Sequence, residues 1–312
     1  MAMPERWPRV AVVGAGAVGG YFGGLMADAG APVVMIGRKS FVDAVTSRGL
    51  RLDTLHFSKT VQVEASTEIA AARGAALVLF CVKTVDNADT ARQLAPFLSP
   101  QAVVVSLQNG VDNVEQIGRH TKIEALPAAV YVAASVPEPG RVKHVGRGDL
   151  VLGPECDRTD TVAAIFRRAN IPCRISNNIE GELWAKLVAN CALNAVSALA
   201  QARYGEIAAS ADARKLLEGI VSEVMAVARA AHITLPGLEE PTSAFASAMK
   251  IASQMPGQLS STGQDILGGK RTEIDSLNGF IARRGAELGV PTPVNHALFT
   301  LVKLLEARRG AV

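Results

Sequence analysis

The chain has 312 residues, 49% hydrophobic and 20% charged, with a formal net charge of +3. That length holds two domains with separate cores, and that balance excludes disorder and argues against nucleic acid or an anionic membrane as the main partner. The four cysteines, Cys81, Cys156, Cys173 and Cys191, form no C-x-x-C pair and no zinc spacing with histidine, so reduced thiols and no metal site are expected. Residues 1–9 lack the pattern of a signal peptide, and no run reaches about 18 uninterrupted apolar residues. A cytoplasmic enzyme with no membrane contact is the expectation.

A Val-rich strand is predicted over 9–13. It runs directly into Gly14-Ala15-Gly16-Ala17-Val18-Gly19, and a helix pattern follows to about Ala29 with a stop at Gly30. In strand, G-x-G-x-x-G, helix, the first glycine allows a tight turn, the second lets a pyrophosphate reach the backbone, and the third lets helix and strand pack closely. The next strand, 32–36, ends where an NAD-preferring site puts a carboxylate on the ribose hydroxyl. Here Gly37-Arg38-Lys39-Ser40 follows, and a guanidinium beside an ammonium and a hydroxyl suits a 2'-phosphate. NADP(H) is therefore the expected cofactor, with Arg38 the main contact.

Val61 and Val63 mark a short strand, and 76–82 is a continuous apolar run of the central parallel type. It ends in Lys83-Thr84, before a helix over 86–98. A strand over 102–106 ends in Gln108-Asn109-Gly110, before a helix from about Asp112. Both polar clusters fall at carboxyl ends of strands, the edge where open parallel sheets bind ligands. Residues 123–153 alternate and are broken by Pro and Gly, which reads as antiparallel strands added to the sheet. A helix over 159–169 and a strand over 173–175 complete the first domain. The boundary is placed at 176–178, giving a Rossmann-type α/β domain over 1–177 and an all-α domain over 178–312, with Asn178 as N-cap of the first long helix.

Helical runs are predicted at about 179–202, 213–232, 240–254, 272–288 and 295–307, with no repeat period. In the first of these, Lys186, Asn190 and Asn194 lie four apart, on one face of a helix that is otherwise apolar nearly all round. Burying an uncompensated polar group costs roughly 1 to 3 kcal/mol. Snorkelling or helix bridging could account for one such residue, whereas three in register point to a site. Between Pro256 and Thr272 lie a hydroxyl-rich stretch, 258–265, and then Gly268-Gly269-Lys270-Arg271-Thr272-Glu273-Ile274-Asp275.

The combination resembles the ketopantoate reductase family (2-dehydropantoate 2-reductases) across essentially the whole chain. The Gly14–Gly19 loop looks like its nucleotide loop, and Lys83-Thr84 and Gln108-Asn109-Gly110 like its strand-end motifs. Trp184-x-Lys186-x3-Asn190-x3-Asn194 is similar to its catalytic helix. Thr272-Glu273-Ile274-Asp275-x2-Asn278-Gly279, with Gly289-Val290-x-Thr292-Pro293-x-Asn295 downstream, matches its C-terminal signature. The resemblance implies reduction of a small 2-oxo acid by NADPH, with Lys186 as general acid and Glu273 as the carboxylate of the site. It implies Asn109, Asn190, Asn194, Gln258 and Ser261 around the substrate. Around the cofactor it implies the glycine loop, Arg38 and Lys83, with Asn109 and Glu273. Charge that develops on the carbonyl oxygen is then met by an ammonium that also delivers the proton.

One departure bears on the substrate. The best-known members carry an asparagine three residues before the serine of the site, where it meets the distal hydroxyl of ketopantoate; this chain has Gln258 before Ser261. A sibling reductase acting on another 2-oxo acid is therefore an open alternative, as is a non-catalytic NADP-binding redox sensor. The apolar faces of the helical half would serve a core or a homodimer equally well.

Overall fold

Strands that are apolar at every position need cover on both faces, and the first half of the chain builds a sheet with that property. In a computed structural model that describes residues 6–119, 121–308 and 310, the chain divides between Ile179 and Glu180 into two compact units. The first alternates β1 (Val10–Val13), α1 (Ala17–Asp28), β2 (Val33–Ile36), α2 (Lys39–Arg48), β3 (Leu50–Asp53), β4 (Ser58–Val61), β5 (Glu64–Ser66), β6 (Leu77–Phe80), α3 (Asn87–Leu94), β7 (Val103–Ser106) and α4 (Asn113–Arg119). The hairpin β8 (Leu126–Glu138) and β9 (Arg141–Leu152), then α5 (Asp157–Arg168) and β10 (Cys173–Ile175), complete it.

The strand order is β4-β3-β9-β8-β7-β6-β1-β2-β5, with β10 beside β9. From β5 through β7 every pairing is parallel, the Rossmann portion, and β8 joins it through Val105↔Leu126. The two long strands of the hairpin pair antiparallel, as the broken alternation of 123–153 predicts. Alternate residues of β1 enter different cores. Val10 and Val12 pack with Phe22 and Met26 of α1, while Ala11 and Val13 pack with Phe80, Ala91 and Ile117 on the other face.

Several bounds differ from expectation for local reasons. The helix expected over 86–98 ends at Leu94 and continues as a 3-10 turn, Ala95–Phe97, because Pro96 has no N–H to donate. The hairpin β3–β4 replaces the single strand expected near Val61. Its alternating Leu50, Arg51, Leu52, Asp53 is too short for a clear periodic signal.

The second unit contains α6 (Ile179–Ala200), α7 (Tyr204–Ala209), α8 (Ala211–Ala230), α9 (Pro241–Gln254), α10 (Ser261–Leu267), α11 (Asn278–Leu288) and α12 (Pro293–Arg308). No strand occurs in it among the described residues. By length and composition α6 could cross a bilayer, but Leu187, Val188, Cys191, Ala192, Leu193 and Ala195 are all buried inside the protein. The helix expected over 272–288 is interrupted: a 3-10 turn, Ile274–Ser276, is followed by Leu277 at φ −113°, ψ −108°, outside the helical region, before α11 begins. The two shortest helices, α7 and α10, are six and seven residues long and carry too few turns for a periodicity to show.

Where β3 meets β9, Asp53 accepts from Ser58 Oγ, from Arg141 Nε at 2.6 Å and from Arg51 Nε at 3.0 Å. The Ser58 hydroxyl first, then the Arg141 guanidinium, hold its carboxyl down from 3.8 to about 2. A depressed folded-state value stabilises the fold above the unfolded value and loses that contribution as pH falls. Asp53→Asn should therefore lower the urea midpoint at pH 7, and the gap to the native chain should close between about pH 4 and pH 2. Denaturation curves of both chains across that range check this.

Candidate functional site

The glycine turn expected to cradle a nucleotide follows from the backbone at the end of β1. Gly14 sits at φ +97°, and a Cβ there would lie 2.6 Å from the amide nitrogen of Val82. Only glycine fits both the angle and the space. At Gly19 a Cβ would meet the Gly14 carbonyl and come within 2.8 Å of Val12 Cγ1, so this position brings α1 down onto the strand. Gly16 differs: nothing lies within 4 Å of the place a Cβ would take. Its glycine leaves a space open beside the start of α1. No side chain caps that helix start, and no acidic residue stands in its first turn. Unsatisfied amides and the positive dipole end therefore face an unblocked approach, which is what a pyrophosphate requires.

At the end of β2, Arg38 is the N-cap residue of α2 and is exposed; no described residue accepts from its guanidinium. Lys39 behaves otherwise than expected, since its Nζ is 2.9 Å from Asp43 one helical turn on. The free cation at this strand end is Arg38 among the described residues of the 37–40 turn. Lys83 and Asn109, both half-buried, follow β6 and β7. All the predicted cofactor residues of this unit thus lie at the carboxyl edge of its parallel strands.

Behind that edge is a chain of buried amides. Ser106 Oγ donates to Gln108 Oε1 at 2.8 Å, and Gln108 Nε2 donates to the Val82 carbonyl at 2.7 Å and to Asn87 Oδ1 at 2.5 Å. Asn87 Nδ2 donates to Asn113 Oδ1 at 2.9 Å, and Asn113 Nδ2 donates to the main-chain carbonyl of Asn109 at 2.6 Å. Neither Asn87 nor Asn113 stood out in the sequence. The usable signal was Asn87 in register with Ala91 and Leu94, a polar group on the buried side of a short helix.

In the helical unit the predicted stripe is real. Lys186 and Asn190 are half-buried and Asn194 is 4% exposed, at four-residue spacing along α6. Tyr204 Oη donates to Asn194 Oδ1 at 3.2 Å, and burial pushes the Tyr204 hydroxyl up to about 12. Ser260 Oγ donates to the Asn194 carbonyl at 3.1 Å and caps α10 by accepting from Gly263 N–H. Tyr204 and Ser260 were missed because each acts through a contact distant in sequence. Cys191, next to Asn190, is buried, and burial raises its thiol, leaving it protonated.

Of the other predicted residues, Ser261 is the exposed first residue of α10. Gln258 is turned back on the chain: its Nε2 donates to the Leu259 carbonyl at 2.9 Å, and its own carbonyl accepts from Tyr204 N–H at 3.0 Å. Glu273 precedes the 3-10 turn, which is fastened on both sides. Glu306 accepts from Thr272 N–H at 2.6 Å, and Lys303 Nζ reaches Asp275 at 2.9 Å. Further on, Asn278 Nδ2 donates to the Cys191 carbonyl at 3.1 Å and to Asn295 Oδ1 at 2.9 Å, and Asn295 Nδ2 donates to Glu223 at 2.8 Å. The two asparagines of the C-terminal signature thus brace α6 against α8, α11 and α12. Among the described residues no group of three metal-ligating side chains occurs.

Comparison with known proteins agrees with this arrangement. Residues 10–155 match the family described as ketopantoate reductase PanE/ApbA, and residues 178–306 match its C-terminal domain. A 2-dehydropantoate 2-reductase of Halobacterium salinarum is 30% identical over 96% of this chain and 99% of its own. The crystal structure of a PanE/ApbA family ketopantoate reductase from Ralstonia eutropha JMP134 superposes with a TM-score of 0.91 at 44% identity, covering 97% of this chain and 99% of that one. A D-mandelate dehydrogenase solved with NADH and anilino(oxo)acetate shares the fold, with a TM-score of 0.90 at 22% identity over 97% of this chain and all of that one. With both halves of the chain matched in order and over nearly their full length, the protein belongs to the ketopantoate reductase family.

Proposed function

We propose that the protein reduces a 2-oxo acid with NADPH, ketopantoate to pantoate in the first reading, with Lys186 as the general acid. The observation that carries this is the stripe of Lys186, Asn190 and Asn194, in register with the buried Glu182, on one face of a largely apolar helix. The name 2-dehydropantoate 2-reductase on the Halobacterium salinarum relative supports the same substrate. A reduced nicotinamide, when bound, supplies the hydride that the carbonyl carbon takes up. As that carbon becomes tetrahedral, its oxygen gains negative charge. The Lys186 ammonium stabilises the charge and gives up one proton to it, leaving an alcohol and a neutral amine that solvent reprotonates. Asn109, Asn190 and Asn194 offer amides that orient a carboxylate and a carbonyl without adding charge, Ser261 adds a hydroxyl, and Glu273 supplies the carboxylate of the site.

For the cofactor, the opening at Gly16 and the uncapped start of α1 suit the pyrophosphate. The unpartnered Arg38 after β2 suits a 2'-phosphate, and Lys83 stands after β6, on the other side of β1. Free cysteines, with Cys191 buried and Cys156 exposed, fit a reducing compartment such as the cytoplasm.

A second reading keeps the chemistry and changes the acid. The Gln258 amide spends a donor on the adjacent Leu259 carbonyl, and a site that ceases to bond a substrate hydroxyl loses its preference for that hydroxyl. Steady-state assays with NADPH, ketopantoate and a panel of branched 2-oxo acids separate the two. The first reading expects ketopantoate to exceed every other acid in kcat/KM by about tenfold or more; equal or lower turnover of ketopantoate replaces it by the second. Arg38→Ala should reduce the preference for NADPH over NADH by about tenfold or more while leaving kcat with saturating NADPH nearly unchanged. Paired titrations of both cofactors measure this.

A further inference from the structure

The buried amides behind the strand ends have a direction. The Ser106 hydroxyl donates to Gln108, and from there each amide accepts through its oxygen and donates through its nitrogen: Gln108 to Asn87, Asn87 to Asn113, and Asn113 to the carbonyl of Asn109. Ser106, Gln108, Asn87 and Asn113 are each 5% exposed or less. Reversing any one amide would set oxygen against oxygen or nitrogen against nitrogen, so the hydrogen-bond roles are mutually enforced, and dipoles aligned in sequence strengthen one another. Such a chain is expensive to bury for stability alone, because each amide must be fully matched to avoid a desolvation cost.

Its two main-chain attachments are the Val82 carbonyl, immediately before Lys83, and the Asn109 carbonyl, immediately before Gly110 at φ +95°, with a side branch from Asn87 Nδ2 to Gln116 Oε1 at 3.4 Å. The geometry points to Asn87 and Asn113 as positioning residues that hold the Asn109 loop in register with the Lys83 loop, so that the Asn109 side chain is set before any ligand arrives. This rests on the reading of Asn109 as a binding residue of the reductive site. Neither amide touches substrate; both act through the backbone of Asn109.

A double-mutant cycle tests it, read as kcat/KM for the best 2-oxo acid of the panel with NADPH. Asn113→Leu should lower kcat/KM about tenfold in the native background, and by less than about twofold when Asn109→Ala has already removed the side chain being positioned. Asn87→Asp, which keeps the shape but replaces the donor facing Asn113 by an acceptor, should give the same pattern and stands in if Asn113→Leu does not fold. Equal losses in both backgrounds, with Asn109→Ala itself impaired, overturn the positioning role and leave the reading of Asn109 intact. An unimpaired Asn109→Ala overturns both.

Discussion

An amide buried on an apolar helix must find its hydrogen-bond partners inside the protein, and much of the helical unit is built around that requirement at Asn194, 4% exposed on α6. A single orphaned buried polar group costs roughly 1 to 3 kcal/mol against a total stability of about 5 to 15 kcal/mol, so the buried Asn194 amide must be matched. Asn194 is matched by Tyr204, and its main-chain carbonyl by Ser260. The carbonyl of Cys191, on the next turn back, is matched by Asn278. These contacts fix the position of α6 while leaving Lys186 and Asn190 toward its less buried half. Rigid support behind a partly open amine and amide is the arrangement that acid catalysis requires.

The α/β unit meets a comparable constraint with backbone instead of side chains. Close packing at Gly14 and Gly19 brings β1 and α1 together, while the opening at Gly16 preserves access to the helix start. The pattern of three glycines thus has three separate causes in one turn. Polar matching recurs one layer deeper, where Ser106, Gln108, Asn87 and Asn113 join the ends of β6 and β7. In both units half-buried polar side chains are backed by buried polar contacts that are long-range in sequence.

That distinction explains what the sequence made legible. The glycine loop, the apolar strands β1, β6 and β7, and the stripe on α6 are local patterns whose physical meaning survives in isolation. Arg38 could be singled out because a carboxylate was missing at a defined strand end, and the structure leaves it exposed there. Tyr204, Ser260 and Asn113 were not, since a hydrogen bond to a residue 10 to 66 positions away leaves no periodic trace, and Asn87 showed only as a polar residue in register with Ala91 and Leu94. Lys39, whose charge matched the expected chemistry, is paired with Asp43 at i+4, a contact that only the neighbouring helix turn reveals. Pro96 and the turn at Leu277 interrupted helices whose apolar period ran on past them. The signature asparagines Asn278 and Asn295 were recognised as a pattern, and the structure shows them bracing α6.

The central claim is that the α6 stripe is reductive machinery with Lys186 as its acid. The most direct measurement is the turnover of ketopantoate and the best panel acid by Lys186→Ala, alongside NADPH affinity followed by nicotinamide fluorescence. The account predicts a fall in kcat of about 10² to 10⁴ with NADPH affinity essentially unchanged. A variant that retains the turnover of the native chain would contradict it.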